Sequence, residues 1–467
     1  MRIADELVPL RTLCCTVILI VTSCTATPER NPANTHGATP SHWTTASSSA
    51  AHIKNKWVDS FADPALTALV NDALNNNFDL KAAAARVDAA REQVGIEGAG
   101  RLPQLSFTPG YQNAQVRDVG LESSRFSAFE ALFSMSWEID LWGRIKASQQ
   151  AVRQEAAAVS ADFQGARLSL AARTAQSYFE LIEANLLVDV VEQSVKDRRT
   201  IVELVRGRFA RGLTRGLDLR LVLTDLANAE AQLAQARNQV QIITRRLEVL
   251  LGRYPSGGKN VINQVSATNL PLPPPALSAG LPSQLLERRP DLVAAFSRLR
   301  ALDSRVESAK KALLPRITLT ASGGTSSSDL ADLVDPRAVA WNVAAGLVQP
   351  IFTGGRLKGE IRLNEARTVE ALNNYRSAAL NAFREVEQAL AAEQWLRAQE
   401  QALKEAVEQT HASRKLAVYS YRQGLIEILT LLDSYRSTLN AQSAHLTVQR
   451  QLLSNRIDLY LALGGGV

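Results

Sequence analysis

Along most of the chain, apolar side chains recur at helical spacing. Leu168, Ala172, Ala175, Phe179, Ile182 and Leu186 alternate steps of four and three. Leu219, Leu226, Leu233, Val240 and Leu247 recur every seven residues, as do Leu432, Leu439, Leu446 and Leu453. Such a seam packs one stripe of a helix against a neighbour, and the many alanines favour close packing with more than one neighbour. Residues 64–100 and 282–312 read as helical, and residues 145–209 and 357–421 read as single long helices. No proline lies between Pro109 and Pro255 or after Pro350, so these stretches lack the strongest helix breaker. At ~1.5 Å per residue the long helices reach about 100 Å, which suits a coiled coil or a tube rather than a compact core.

In four places the period changes from 3.6 to 2. The odd positions of 127–139 include Phe129, Phe133, Met135, Trp137 and Ile139, while the even positions include Glu130, Ser134, Ser136 and Glu138. A second stretch repeats this, with Val339, Trp341, Val343 and Leu347 against Asn342, Ala344 and Gly346. Shorter alternations at Leu105 and Phe107, and at Ile317 and Leu319, precede each of them. The predicted strands run 10–13 residues, enough to cross a bilayer at a tilt. Glu130 on an even position suits a watery lumen and not lipid. Trp137 and Trp142 stand at one strand end, where an interfacial aromatic girdle belongs. The competing reading is a soluble antiparallel sheet with one wet face. Four strands in lipid cannot close, and open edges there leave backbone groups unpaired. Eight strands would be filled by side chains, so a conduit calls for more copies. Three copies would supply twelve strands and, from four long helices each, twelve helices.

These elements occur twice. A single constant shift brings Asp79-Leu80 onto Asp291-Leu292, Leu102-Pro103 onto Leu314-Pro315, and Gly143-Arg144 onto Gly355-Arg356. The same shift brings Gly212 onto Gly424 and Leu251-Gly252 onto Leu463-Gly464. The period is too long for a solenoid and marks duplication of a whole unit. The join, Pro271-Leu272-Pro273-Pro274-Pro275, reads as an extended connector.

Composition narrows the chemistry. The 467 residues are 46% apolar and 21% charged, which excludes a disordered chain. The formal charge of +6 reads as diffuse, and gives no argument for nucleic acid. Five histidines show no metal-ligand spacing, and the three cysteines all fall within the first 24 residues, which excludes a disulfide scaffold and a thiol enzyme. No phosphate loop, catalytic triad or metal cluster supports an enzyme. At the start, Arg2 and Arg11 precede the apolar stretch Leu13 to Val21 and then Val21-Thr22-Ser23-Cys24, as in a secretory leader. The small residues before Cys24 resemble a bacterial lipobox, with Cys24 as the lipid-bearing mature N-terminus. Two or more acyl chains give stable anchoring. Residue 25 is Thr, so the usual inner-membrane retention signal is missing, and residues 25–52 are Thr-, Ser-, Ala- and Pro-rich, as in a tether.

Longer strings carry a family resemblance. Ser136-Trp137-Glu138-Ile139-Asp140-Leu141-Trp142-Gly143-Arg144, Leu285-Leu286-Glu287-Arg288-Arg289-Pro290-Asp291-Leu292, Pro350-Ile351-Phe352-Thr353-Gly354-Gly355-Arg356-Leu357 and the ending Leu463-Gly464-Gly465-Gly466 resemble the TolC superfamily of outer-membrane factors, in its lipoprotein branch. The resemblance implies a mainly α fold with a small β part: a homotrimer with a 12-helix periplasmic α-barrel and a 12-stranded transmembrane β-barrel. It divides the chain into leader (1–23), lipidated tether (24–56), first repeat (57–252), equatorial linker (253–280) and second repeat (281–467). The hairpins fall at about 103–140 and 314–352, and the tunnel helices at 64–102, 141–252, 281–313 and 353–464. It implies S-diacylglycerol and N-palmitoyl groups on Cys24 and no other cofactor. It implies a periplasmic membrane-fusion adaptor and an inner-membrane pump, RND type foremost, as partners, and a place in the outer membrane of a Gram-negative bacterium.

Site residues follow from the same resemblance. Arg211, Gly212 and Leu213, with Gln423, Gly424 and Leu425, match the helix tips that meet the adaptor. Leu429, Asp433 and Arg436 match the residues that close the periplasmic aperture. Three copies of Asp433 and Arg436 around an axis can pair across subunits, while Leu429 forms an apolar constriction. Without the resemblance, Asp433 and Arg436 read as a surface i,i+3 pair. The expected function is passive conduction of drugs or small toxic compounds. Metal-ion efflux, type I protein secretion, and a periplasmic adaptor or scaffold lipoprotein are the alternatives.

Overall fold

The computed structural model describes residues 30–35, 40, 42–45, 56–116, 124–258, 269–275 and 280–466. Cys24, the leader and most of the tether lie outside them. In chain order the elements are α1 (Pro64–Asn76), α2 (Phe78–Ala99), β1 (Gln104–Val116), β2 (Ser124–Ile139), α3 (Arg144–Phe209) and α4 (Gly216–Leu250). The second repeat gives α5 (Pro282–Arg288), α6 (Pro290–Lys311), β3 (Arg316–Ser327), β4 (Val339–Val348), α7 (Arg356–Arg422) and α8 (Ile428–Ala462). Long helices thus dominate, with a small β part.

Each predicted first helix is broken, and at equivalent positions. Asn77 and Arg289, matched by the repeat shift, both leave the helical region, with ψ of 127° and 121°. Pro290 forces this on Arg289, because its ring disfavours the α conformation of the preceding residue. At Asn77 the side chain does the work, its Oδ1 accepting from the Leu80 N–H at 3.0 Å. The two side chains also reach the same place. Asn77 Nδ2 donates to the Leu250 carbonyl at 3.1 Å, and Arg289 Nη1 donates to the carbonyl of Ala462, the repeat equivalent of Leu250, at 3.2 Å. Gly252 and Gly464 pass these corners with φ of 69° and 68°. A Cβ on Gly252 would stand 2.5 Å from the Asn76 carbonyl oxygen, so glycine is required there for space as well as conformation.

The described chain forms two compact units, and each takes chain from both repeats. One contains Arg86–Ser160, Ala294–Ser377 and the segment around Arg30. It contains a single antiparallel sheet in the order β1-β2-β3-β4, in which β2 of the first repeat pairs with β3 of the second. The register puts every odd position on one face. Phe107 faces Phe133 and Tyr111 faces Phe129, with ring centroids 4.9 and 4.5 Å apart, and Met135 faces Ala321, which faces Val343. The even face carries Ser106, Ser134, Glu130, Ser326, Thr320 and Asn342. Among the described residues, the outer edges of β1 and β4 have no strand partner. The strands of this sheet run from 10 to 16 residues. Leu105, Phe107, Phe133, Trp341, Val343 and Leu347 on the odd face are all exposed.

The other unit holds Ala38–Ala85, Ala161–Val293 and Ala378–Val467. Its core gathers Trp57, Phe61, Phe179, Leu181, Leu247, Leu251, Leu453 and Ile457. The segment just before α1 and the one just after α8 meet in it. The Lys56 N–H donates to the Gly466 carbonyl at 2.9 Å, and Trp57 stacks on Tyr460 at 5.4 Å. Among the described residues, no helix is both long and apolar enough to cross a membrane.

Candidate functional site: helix tips, ion pairs and the uncovered sheet

The two turns that join the long helices are built alike. At the first, the Gly212 N–H bonds the Phe209 carbonyl and the Leu213 N–H the Arg208 carbonyl. At the second, Gly424 bonds Tyr421 and Leu425 bonds Ser420, each partner standing at the repeat-equivalent position. Gly212 and Gly424 have φ of 67° and 76°, the left-handed C-terminal stop that glycine takes without strain. The turns are brought together. Arg208 lies over the Tyr421 ring at 5.3 Å and donates to the Tyr421 carbonyl at 3.3 Å. A shared core of Val202, Val205, Val222, Tyr421, Ile428 and Leu432 packs behind them. The tips themselves stay exposed. Leu213 and Leu425, beside Arg211 and Gln423, are apolar knobs that are 61% and 72% accessible.

Next to the tips lie ion pairs that periodicity did not reveal. Arg198 of α3, almost fully buried, donates through Nε to Asp225 of α4 at 2.7 Å. Arg436 of α8 approaches the other Asp225 oxygen at 3.8 Å. The i,i+3 pair between Asp433 and Arg436 is therefore not formed. Arg436 turns to the more buried carboxylate, and Asp433 is left exposed. Leu429 is half-exposed on the first turn of the same helix. Arg414 of α7 donates to Asp197 of α3 at 2.6 Å and lies over the Tyr435 ring at 5.3 Å. A signal for these pairs does exist in the sequence: the repeats disagree there. Arg198 and Asp225 correspond to Thr410 and Ser437, and Asp197 corresponds to Gln409. Charges that break the repeat mark contacts between unlike helices.

A cavity of about 250 Å³ opens beside this network, lined among others by Gln193, His411, Arg414, Tyr435 and Gln442. His411 Nε2 and the Gln442 amide are 3.0 Å apart. Burial, then Arg414 and Lys415, hold the His411 pKa below its ordinary 6.5, with Asp197 opposing. The neutral ring is thus the form the fold prefers. Its contribution is present above the unfolded pKa and is lost as pH falls through the lower folded value. Acidification from about pH 7 to about pH 5 is expected to lower the thermal midpoint of the helical unit. His411→Gln, which retains an amide partner for Gln442, is expected to reduce that fall; an equal fall in both proteins would remove His411 as its source.

At the sheet, Trp137 Nε1 donates to the Arg101 carbonyl at 2.9 Å, and Trp142 Nε1 donates to the Pro315 carbonyl at 2.8 Å. Both indoles thus mark the end where the helices attach. At that end the repeats differ usefully. Asp140 caps α3 by accepting from the Ile145 and Lys146 N–H groups at 3.0 and 2.7 Å, whereas the equivalent residue before α7 is Phe352, which is 90% exposed. An apolar ring replaces a capping carboxylate, at the rim of a sheet whose odd face is apolar and uncovered.

Comparison with known proteins accounts for both halves. The family model described as outer membrane efflux protein matches residues 69–253 and 281–465, two segments related by the same shift as the repeats. The pyoverdine export outer membrane protein OpmQ of Pseudomonas putida is 33% identical over 444 residues, covering 92% of each chain. The cation efflux system protein CusC of Escherichia coli O6:H1 is 31% identical over 422 residues, covering 88% of each. A solved structure of the outer-membrane channel OprN matches with a TM-score of 0.87 at 26% identity, covering 95% of this chain and 99% of that one. The duplicated helices, the sheet with its bare apolar face and these matches agree: the chain belongs to the outer membrane efflux protein family, the outer-membrane channels of efflux systems in Gram-negative bacteria.

Proposed function

We propose that three copies of this chain close into one conduit, a 12-stranded barrel through the outer membrane continued by a 12-helix tunnel in the periplasm. The observation that carries this reading is the sheet, whose odd face is apolar and exposed and whose two outer edges are open. In water the apolar face is unfavourable, and in lipid the open edges cost several kcal/mol per unpaired backbone group, about what a hydrogen bond is worth there. Edge-to-edge closure with further copies within the bilayer removes both costs, pairing the edges and placing the apolar face against lipid. The even face, with Glu130, Glu138, Ser134 and Asn342, then lines the water-filled interior.

In this reading Cys24 carries the diacylglycerol and palmitoyl chains that hold the mature N-terminus in the membrane. The exposed tips at Arg211, Gly212 and Leu213, and at Gln423, Gly424 and Leu425, dock a periplasmic adaptor, which joins the channel to an inner-membrane pump of the RND type. Leu429, Asp433 and Arg436 form the periplasmic gate. Cargo enters from the pump, and drugs or small toxic compounds are the proposed class. One relative is named for pyoverdine export and another for cation efflux, so cargo differs among chains of similar sequence. The test is the protein mass of the detergent-extracted particle, with bound lipid and detergent subtracted. Three mature chain masses are expected; a monodisperse monomer that keeps its sheet would overturn the closure.

A further inference from the structure

The chain's net charge of +6 reads as diffuse along the sequence, but the fold gathers it. Residues 95–104, 138–150, 305–318 and 348–367 flank the helix-bearing end of the sheet. They hold eleven Lys and Arg against six Asp and Glu, which is nearly the whole excess of the chain. The carboxylates there are already taken. Glu138, Glu307, Glu360 and Glu365 pair with Arg144, Lys311, Arg356 and Lys310, while Asp140 and Glu97 accept from backbone N–H groups and the Ser148 hydroxyl. Arg101, Lys146, Lys358 and Arg362 are exposed and have no carboxylate partner among the described residues. Among them stand apolar side chains equally bare, with Leu102 62%, Leu141 61%, Ile351 95% and Phe352 90% accessible. The opposite, loop-bearing end has the reverse character, with Asp329 and Asp332 lacking a cationic partner among the described residues.

We infer that this end of the sheet is a docking belt for anionic phospholipid headgroups, phosphatidylglycerol being the simplest. The inference rests on the proposed membrane-spanning role of the sheet, and adds a lipid preference to it. The belt continues the exposed apolar face at the depth where acyl chain gives way to headgroup. There Ile351, Phe352, Leu102 and Leu141 enter the acyl region, while Lys and Arg stems lie along apolar surface and lift their charges to the phosphates. Zwitterionic headgroups carry a compensating cation and gain little from the excess positive charge, whereas an anionic headgroup gains from each cation near it. A second copy of the chain is the competing occupant, but each copy would bring the same uncompensated cations to such a contact.

The test uses the full chain inserted in vesicles of equimolar phosphatidylglycerol and phosphatidylethanolamine, then re-extracted in neutral detergent. Phospholipid retained per particle is weighed by native mass spectrometry. The unmodified protein is expected to retain phosphatidylglycerol over phosphatidylethanolamine by at least about tenfold. The triple variant Lys146→Gln/Lys358→Gln/Arg362→Gln is expected to retain the two nearly equally, at unchanged particle mass. Equal retention by the unmodified protein would overturn the belt. A variant that loses particle mass would overturn it too, since its cations then face another copy. A chain that enters neither these vesicles nor phosphatidylethanolamine vesicles would count against the membrane-spanning reading itself.

Discussion

Replacing Asp433 and Arg436 together by alanine is expected to raise the closed-state conductance of the reconstituted channel by about an order of magnitude. Within one chain, Asp433 is exposed and Arg436 is held only by the long 3.8 Å approach to Asp225. Both therefore keep most of their bonding capacity for groups brought by other copies. If they pair across subunits, the single variants will each release much of the closure, and their effects will not add. Leu429→Ala is expected to widen the same aperture by removing an apolar ring. Asp225 is unsuitable for this test. Its loss strands Arg198, whose side chain is only 4% accessible, at about 3–5 kcal/mol, so unfolding would mask any effect on conduction. Single-channel recording across planar bilayers checks the prediction. An unchanged closed-state current in the double variant would remove these residues from the gate.

What was legible in advance follows the range of the interactions involved. The strands were visible because a face is set by parity. Phe129, Phe133 and Trp137 declare one side of β2 without knowledge of any partner. The tips were visible because the turns at Gly212 and Gly424 need a left-handed residue, and the repeat shift places both glycines together. The helix break at Asn77 was hidden, since Asn-Asn-Asn-Phe-Asp gives no breaker as strong as Pro290; the cue was a cap for Leu80 that only the folded backbone displays. Partners of Arg436 and Arg198 were hidden for another reason. Which charges meet depends on how each helix is rotated about its axis, and a heptad fixes that only for its apolar stripe. The charge belt was missed because its excess is split between residues 305–318 and 348–367, on the two sides of a hairpin, while 95–104 and 138–150 are each balanced by themselves.

Val343→Arg and Asn342→Arg, neighbours in β4, are expected to differ sharply in their effect on membrane insertion. Val343 lies on the odd face opposite Ala321 and is 68% accessible; Asn342 lies on the even face opposite Ser322. If the odd face meets lipid, an arginine at 343 costs about 2–4 kcal/mol near the bilayer midplane, and a closed trimer carries that cost three times. The same arginine at 342 points into water and costs little. Both variants add one positive charge and end in the same side chain, while strand propensity falls on replacing valine and not on replacing asparagine. That difference does not depend on lipid, so the lipid-dependent part of the gap isolates the environment of each face. Refolding into vesicles, with the protease-resistant fraction as readout, is expected to show most Val343→Arg protein left outside and Asn342→Arg close to the unmodified chain. A soluble sheet packed on its apolar face would also lose stability at 343, but it would do so equally without lipid. The unmodified chain and both variants are therefore compared with and without vesicles. A lipid-dependent gap between 342 and 343 assigns the faces, whereas a gap that persists in their absence would take the sheet out of the membrane.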